Sequence, residues 1–172
     1  MIGPFTGPFR WLSNFYGVPG GVEYDGLMFP TVEHAYQSAK FTDQRIIELI
    51  RQAATPVDAK QLAREHKDQI VLNWESIRQG VMYDLLKQKF RPGTELAARL
   101  AATGNEPIEE VNSWGDTLWG TYKGRGLNLL GKLLMQVRAE LVVYSQDRAN
   151  PGSRVITLPD VVYPKQEGAN AR

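Results

Sequence analysis

Residues 30–41 read PTVEHAYQSAKF, and four of them carry side chains that can hold and transform a polar ligand: Glu33, Tyr36, Gln37 and Lys40. At about 100° per residue these four fall within roughly a third of a helix circumference, while Val32, Ala35 and Ala39 make a separate apolar face. Glu33 and Lys40 are separated by about 10.5 Å of helical rise, too far for a direct ion pair. Lysine leans toward the helix N-terminus, so both heads can still meet one small ligand. A carboxylate and an amine on one ligand suit acid–base or nucleophilic chemistry. The plain alternative is a solvated face, the ordinary partner of an apolar stripe. His34 lies just off the stripe, and the other histidine, His66, sits in the polar run REHKDQ. Two histidines do not make a zinc-ligand spacing, so neither a metal nor a cofactor is expected.

A second group lies at Asp116-Thr117-Leu118-Trp119-Gly120, followed by Lys123-Gly124-Arg125-Gly126-Leu127-Asn128. A Gly-x-Gly loop with two cations before a helix can set backbone N–H groups and a helix N-terminus against phosphate oxygens, or it can be only a turn and a helix start. Trp119 can stack on a flat base or fill the core. Asp116 can act as a base, accept a hydroxyl or only stabilise its own loop. A third group, Arg10-Trp11-Leu12-Ser13-Asn14-Phe15-Tyr16, offers stacking and neutral hydrogen bonds from Ser13 and Asn14. The chain lacks a Gly-x-Ser-x-Gly elbow, a Walker loop and a full Gly-x-Gly-x-x-Gly after a strand. Serine hydrolases, P-loop NTPases and dinucleotide-fold dehydrogenases thereby lose their main support.

The elements that must position these groups follow from turn and cap signals. GGVEYDGLMF predicts a hairpin, with strands over 22–24 and 27–29 about an Asp25-Gly26 turn. Helices are expected over 32–41, then after Thr42 or Asp43, then from Thr55-Pro56 to about Glu65. The stripe Trp74, Ile77, Val81, Leu85 and Leu86 predicts a helix over 73–90, closed by Arg91-Pro92-Gly93. A short helix over 94–103, a strand over 108–111 and a helix over 127–143, striped by Leu127, Leu130, Leu134, Val137 and Leu141, complete the pattern. The fold class is α+β, a mostly helical single domain over 1–144 with a small sheet. Residues 145–172 read as a partly disordered extension with a short strand at 155–158.

Composition sets the outer limits. The chain has 172 residues, 42% of them hydrophobic, which suits one domain with its own core. Twenty basic and 19 acidic residues are dispersed along it for a net charge of +1, so no global footprint for nucleic acid or membrane exists. With no cysteine, disulfides, thiol catalysis and cysteine-based zinc sites are excluded. The N-terminus lacks a signal peptide's apolar run and no segment approaches the roughly 20 apolar residues of a membrane span, so a cytoplasmic location is expected.

Taken in order, WLSNFY, FPTVEHAYQSAKF, NWESIRQGVMYDLLKQKF and WGDTLWGTYKGRGLNLLGKLLMQVR resemble the NADAR family, also described as YbiA-like proteins, over about residues 10–142. The family's Glu-His-x-x-x-x-x-Lys helix falls on Glu33, His34 and Lys40, with Gln37 between them. Its Asp-x-x-Trp-Gly loop falls on Asp116, Trp119 and Gly120, and its Gly-x-Gly-x-Asn stretch on Gly124, Gly126 and Asn128. The resemblance implies a mostly helical α+β N-glycosidase. Its substrate would be ADP-ribose on guanine, free or in nucleic acid, or a ribosylamino-pyrimidine phosphate of riboflavin synthesis.

On that reading Glu33 is the acid/base or oxocarbenium stabiliser, Asp116 holds ribose hydroxyls or water, and Lys40 is a Schiff-base nucleophile or a phosphate ligand. Lys123, Arg125 and the helix start at Leu127 are the expected phosphate contacts. Arg10, Ser13, Asn14, His34, Tyr36, Gln37, Trp119, Gly120, Gly124, Gly126 and Asn128 complete the expected substrate-binding set. Action on ADP-ribosylated DNA would need a local basic rim. The main alternative is a non-catalytic module that binds ADP-ribose or NAD-type ligands.

Overall fold

In the computed structural model, which describes residues 1–149, the expected hairpin pairs β1 (Gly17–Tyr24) with β2 (Leu27–Thr31) in antiparallel register, Val22 facing Phe29 and Tyr24 facing Leu27. Asp25 and Gly26 have φ values of 51° and 77°, the left-handed pair that a two-residue hairpin turn requires. Thr31 ends β2 and caps α1 (Val32–Ser38), its hydroxyl accepting the His34 N–H at 3.2 Å. The hairpin therefore sets where α1 starts and which way it points.

The helix expected over 32–41 stops at Ser38, and the chain turns through Ala39 and Lys40. Each residue from Thr31 to Ala39 is buried, on the polar stripe as well as the apolar one. The reason is position: α1 packs against β2, α2 (Gln44–Arg51), α3 (Pro56–Glu65) and α4 (Trp74–Lys89), leaving no side to bulk water. The solvated-face alternative is excluded. Asp43 caps α2, and Thr55 caps α3 with Pro56 in its first turn, as their side chains predict. On α4, Trp74, Met82, Leu85, Leu86 and Lys89 are buried, while Ile77 and Val81 are only partly covered. Thr94 caps α5 (Glu95–Ala102).

The strand expected over 108–111 is displaced. Val111–Asn112 forms β3, parallel to β4 (Thr121–Tyr122), while Ile108 bridges Ile2. No single ladder forms because the backbone partners diverge: Glu109 N–H donates to Ile2, whereas Glu110 pairs with Thr121 and Asn128. Helix α6 (Leu129–Ala149) starts later than expected and runs past residue 143 and the boundary placed at 144. Leu127 lies outside it and is 55% exposed, so the buried stripe is Leu130, Leu134, Val137 and Leu141. Past the core the last turns are held locally, by Ser145 Oγ on the Leu141 carbonyl and Arg148 beside Tyr144. The strand expected at 155–158 and the end of the extension lie outside the described residues. The architecture is helix-rich α+β, and among the described residues no helix is long and apolar enough to cross a membrane.

Candidate active site

Burial of α1 carries Glu33 inside, where it is 6% exposed. Its backbone N–H donates to the Asn14 carbonyl at 3.0 Å, and its carboxylate accepts Gln37 Nε2 at 2.8 Å. Burial holds the Glu33 carboxyl above its ordinary range. The Gln37 bond and the charges of Lys60 and Lys40 pull it back, and Asp116 pushes it further up. The charges of Lys40, Lys60 and Asp116 are thus all felt at Glu33. Burial also lowers the Lys40 ammonium below the usual lysine range, opposed by Glu33. Lys40 Nζ sits 5.5 Å from the Tyr36 ring centre and 5.7 Å from that of Trp74. Tyr36 packs at 5.0 Å against Trp74 and edge-on at 5.6 Å against Trp119. Tyr36 and Trp74 thus flank the Lys40 ammonium, and the partly exposed Trp119 packs on Tyr36 from the solvent side.

The loop between β3 and β4 brings in Asp116. Asn112, 7% exposed, accepts the Asp116 N–H at 3.0 Å and donates to the carbonyls of Asp116 at 2.7 Å and Thr121 at 2.9 Å. Asp116 Oδ1 accepts the N–H groups of Leu118 and Trp119, both at 2.9 Å, which sets Trp119 three residues on. Asp116 is therefore a loop-stabilising residue whose charge also reaches Glu33.

Several expected ligands have other tasks. His34 is sealed in the interior: Nε2 donates to the Ala53 carbonyl at 3.1 Å, so Nδ1, 2.7 Å from Thr31 Oγ1, is the acceptor. It braces α1 with neither nitrogen left for substrate. Asn128 donates to the Ile108 carbonyl at 2.9 Å and accepts the Glu110 N–H at 3.1 Å, so it ties down the strand region. A Cβ on Gly120 would lie 2.2 Å from the Glu110 carbonyl oxygen, and one on Gly126 2.3 Å from that of Gly120, so both glycines permit chain crossings. Ser13 Oγ accepts the Phe15 N–H at 3.2 Å, and Arg10 is exposed.

The expected phosphate cradle at the start of α6 is already occupied. The N–H groups of Leu127, Asn128, Leu129 and Leu130 donate to the carbonyls of Thr117, Gly120, Leu118 and Trp119. Those are the N–H groups a helix N-terminus would offer an anion, so protein carbonyls have taken the site. Lys123, Gly124 and Arg125 are exposed on the connection between β4 and α6.

Other groups in and around the site are not among the residues expected from the sequence. Lys60 on α3 and Arg78 on α4 both act on Lys40, and Arg78, bridged to Glu75 at 2.7 Å, keeps its Nε buried without a partner. Lys89, 1% exposed, donates to the carbonyls of Ser13 at 2.7 Å and Leu12 at 3.3 Å, and so fixes the loop that delivers Asn14. The buried Oδ1 of Asn14 and Oε1 of Gln37 have no protein partner, leaving two acceptors free close to Glu33. Among the described residues no group of three acidic or histidine side chains could hold a metal ion.

The fold is a helix-rich α+β domain that buries the Glu33 carboxyl and sets Lys40 over the rings of Tyr36 and Trp74. The NADAR domain model matches residues 4–142, and the chain belongs to the NADAR family. It is similar to N-glycosidase YbiA of Escherichia coli K12, 37% identical over 132 residues that span 76% of this chain and 81% of that protein. N-glycosidase Npun_R5314 of Nostoc punctiforme is 38% identical over 138 residues, 78% of this chain and 86% of that one. Riboflavin biosynthesis protein VVA0006 of Vibrio vulnificus is 39% identical over 132 residues, 76% of this chain but 35% of that longer protein. The NMR structure of Escherichia coli YbiA superposes with a TM-score of 0.72 at 34% identity, covering 83% of each chain.

Proposed function

We propose that this protein hydrolyses an N-glycosidic bond between ribose C1 and a base nitrogen. The substrate is ADP-ribosylated guanine, or a ribosylamino-pyrimidine phosphate of the kind made in riboflavin synthesis. The observation that supports this reading is the burial of Glu33 within reach of the Lys40 and Asp116 charges, with Lys40 lying over the rings of Tyr36 and Trp74. The names of the relatives, N-glycosidase and riboflavin biosynthesis protein, support the same reaction.

Breaking C1–N builds positive charge at the anomeric carbon and negative charge on the leaving base. Glu33 faces the first of these, oriented by Gln37 and by the Asn14 carbonyl that holds its backbone. Asp116, with Oδ1 taken by its own loop, offers Oδ2 to a ribose hydroxyl or the attacking water. Lys40, its ammonium weakened by burial, is suited to attack C1 of the opened sugar as an amine. Lys60 and Arg78 place further positive charge beside it, where the substrate's phosphate would be held. The exposed Lys123 and Arg125 are the rim cations for a substrate carried on nucleic acid.

The test is a product assay by chromatography and mass spectrometry. Wild type and Glu33→Gln are each offered an ADP-ribosyl-guanine oligonucleotide and a ribosylamino-pyrimidine phosphate. Glu33-dependent release of ADP-ribose assigns the first substrate, and release of ribose phosphate the second. Binding of either without release, unchanged in Glu33→Gln, would replace the enzyme with a ligand-binding module.

A further inference from the structure

We propose that Lys89 is a positioning residue for Glu33: by holding the Leu12 and Ser13 carbonyls it sets the Asn14 carbonyl, which in turn holds the Glu33 backbone and so fixes where its carboxyl stands. The inference rests on the N-glycoside reading above. Each link in the chain is a direct contact. Lys89 is the last residue of α4, and its Nζ donates to the Ser13 carbonyl at 2.7 Å and to the Leu12 carbonyl at 3.3 Å. The next carbonyl along the chain, that of Asn14, accepts the Glu33 N–H at 3.0 Å. Adjacent carbonyls, one peptide group apart, therefore bind Lys89 and Glu33. Helix α4 takes hold of the same loop a second time, Asn14 Nδ2 donating to the buried Met82 Sδ at 3.4 Å.

A helix leaves its first N–H groups without partners of its own, and those of α1 are satisfied from outside. The Asn14 carbonyl takes the N–H of Glu33, and the Thr31 hydroxyl takes that of His34. With only seven residues, Val32–Ser38, α1 has too few internal hydrogen bonds to fix its own first turn, so these two clamps set it. The Glu33 carboxylate is then aligned from one turn on by Gln37 Nε2 at 2.8 Å. Without Lys89, the Thr31 clamp still holds His34, while the clamp on Glu33 hangs on a loop that has lost two of its anchors. The choice of lysine at this place is informative. Lys89 is 1% exposed, and among the described residues no carboxylate pairs with it. Its other neighbours are the rings of Phe90 at 5.1 Å and Tyr16 at 5.9 Å. An apolar side chain would fill such a space at less cost than a cation without a counter-ion. What lysine supplies there, and an apolar chain does not, is donors for the Leu12 and Ser13 carbonyls.

The experiment is a double-mutant cycle of Lys89→Met with Glu33→Gln, read by kcat and by amide hydrogen exchange. Lys89→Met should lower kcat by about 10²-fold where Glu33 is present, the scale of loss for a misplaced reacting group. Where Glu33 is already Gln it should lower kcat by no more than about threefold, because its effect passes through Glu33. Any rise in KM through Asn14 should be the same in both backgrounds. Equal losses of kcat would show a general structural role and overturn the proposal. In Lys89→Met the Glu33 amide should exchange about tenfold faster while the His34 amide keeps its rate, and an unchanged Glu33 amide would overturn it too. Because the chain has no cysteine, Lys89→Cys can be alkylated at that one place. An aminoethyl group, which restores the amine, should bring kcat back, and a propyl group of the same length should not; equal kcat for the two would contradict the proposal. In intact wild type the Lys89 Nζ protons should exchange slowly and show NOEs to Ser13 and Asn14, and their absence would overturn it even where the variants fold poorly. Wild type that releases base under Glu33 control, with no coupling to Lys89, would sink this inference alone. Wild type that releases base from neither glycoside would remove the N-glycoside reading and the positioning role with it.

Discussion

In the proposed reaction Lys40 offers two routes that can be separated at a single atom. As an uncharged amine its Nζ would attack the sugar carbon; as an ammonium it would hold phosphate. Borohydride added during turnover should reduce the adduct of the first route and leave the sugar's mass on the peptide that contains Lys40. An unmodified peptide under conditions of full turnover would assign Lys40 to phosphate instead. His34 bears on stability rather than turnover. Burial lowers its pKa, and its tautomer is fixed by Ala53 and Thr31. The folded protein therefore holds the proton less tightly than the unfolded chain, where a histidine titrates at about 6.5. Its contribution to stability is present above that pH and lost as pH falls through the folded value. Urea unfolding at pH 7 and pH 5 should show wild type weakening toward acid by more than His34→Gln does. Equal acid sensitivity would show that His34 titrates as it does in the unfolded chain.

Among the elements, the crossing of the 117–120 loop over the start of α6 decides how the pocket is built. Gly126, at φ 146°, lies where a Cβ would be 2.3 Å from the Gly120 oxygen, whereas Gly124, at φ 72°, has open space around it. Gly124→Ala should therefore cost about 1–2 kcal/mol, the price of left-handed backbone alone. Gly126→Ala should cost more and also disturb Trp119, read by urea unfolding and by ligand-induced tryptophan fluorescence. Equal costs would contradict the crossing. Local signals announced much of this scaffold: Asp25-Gly26, Thr55-Pro56, Asp43 and Thr94 stand where their turn and cap chemistry predicts. The start of α6 was not legible, because its N–H groups are taken by carbonyls that only the tertiary crossing brings near. For the same reason the stripe Glu33, Tyr36, Gln37 and Lys40 could be read as solvated until α2, α3 and α4 were seen around it. Lys89 had a signal: it follows Leu85 and Leu86 at helical spacing, a lysine at a core position.

Across the whole molecule, a chain of net charge +1 concentrates its unusual electrostatics in the interior. Lys89 is the clearest case outside the pocket: burial pulls its ammonium down to about 7. Lysine in the unfolded chain keeps its proton to about 10.4, so between these values the unfolded state binds more protons and stability rises with pH. Lys89→Met should flatten that rise in urea unfolding between pH 7 and pH 10, and an identical slope would show Lys89 to be charged throughout. The same variant releases the Leu12 and Ser13 carbonyls, so it should also weaken substrate binding through Asn14. The candidate site draws on parts far apart in sequence, Asn14, the helix of Glu33 with Lys40 just beyond its end, and the loop of Asp116, and the proposed reaction opens C1–N with water. Turnover in H₂¹⁸O tests that most directly. Wild type should place one ¹⁸O at C1 of the released sugar and none in the base, and Glu33→Gln should lose this product by about 10²–10⁴-fold. Label absent from the sugar, or undiminished release by Glu33→Gln, would contradict the account.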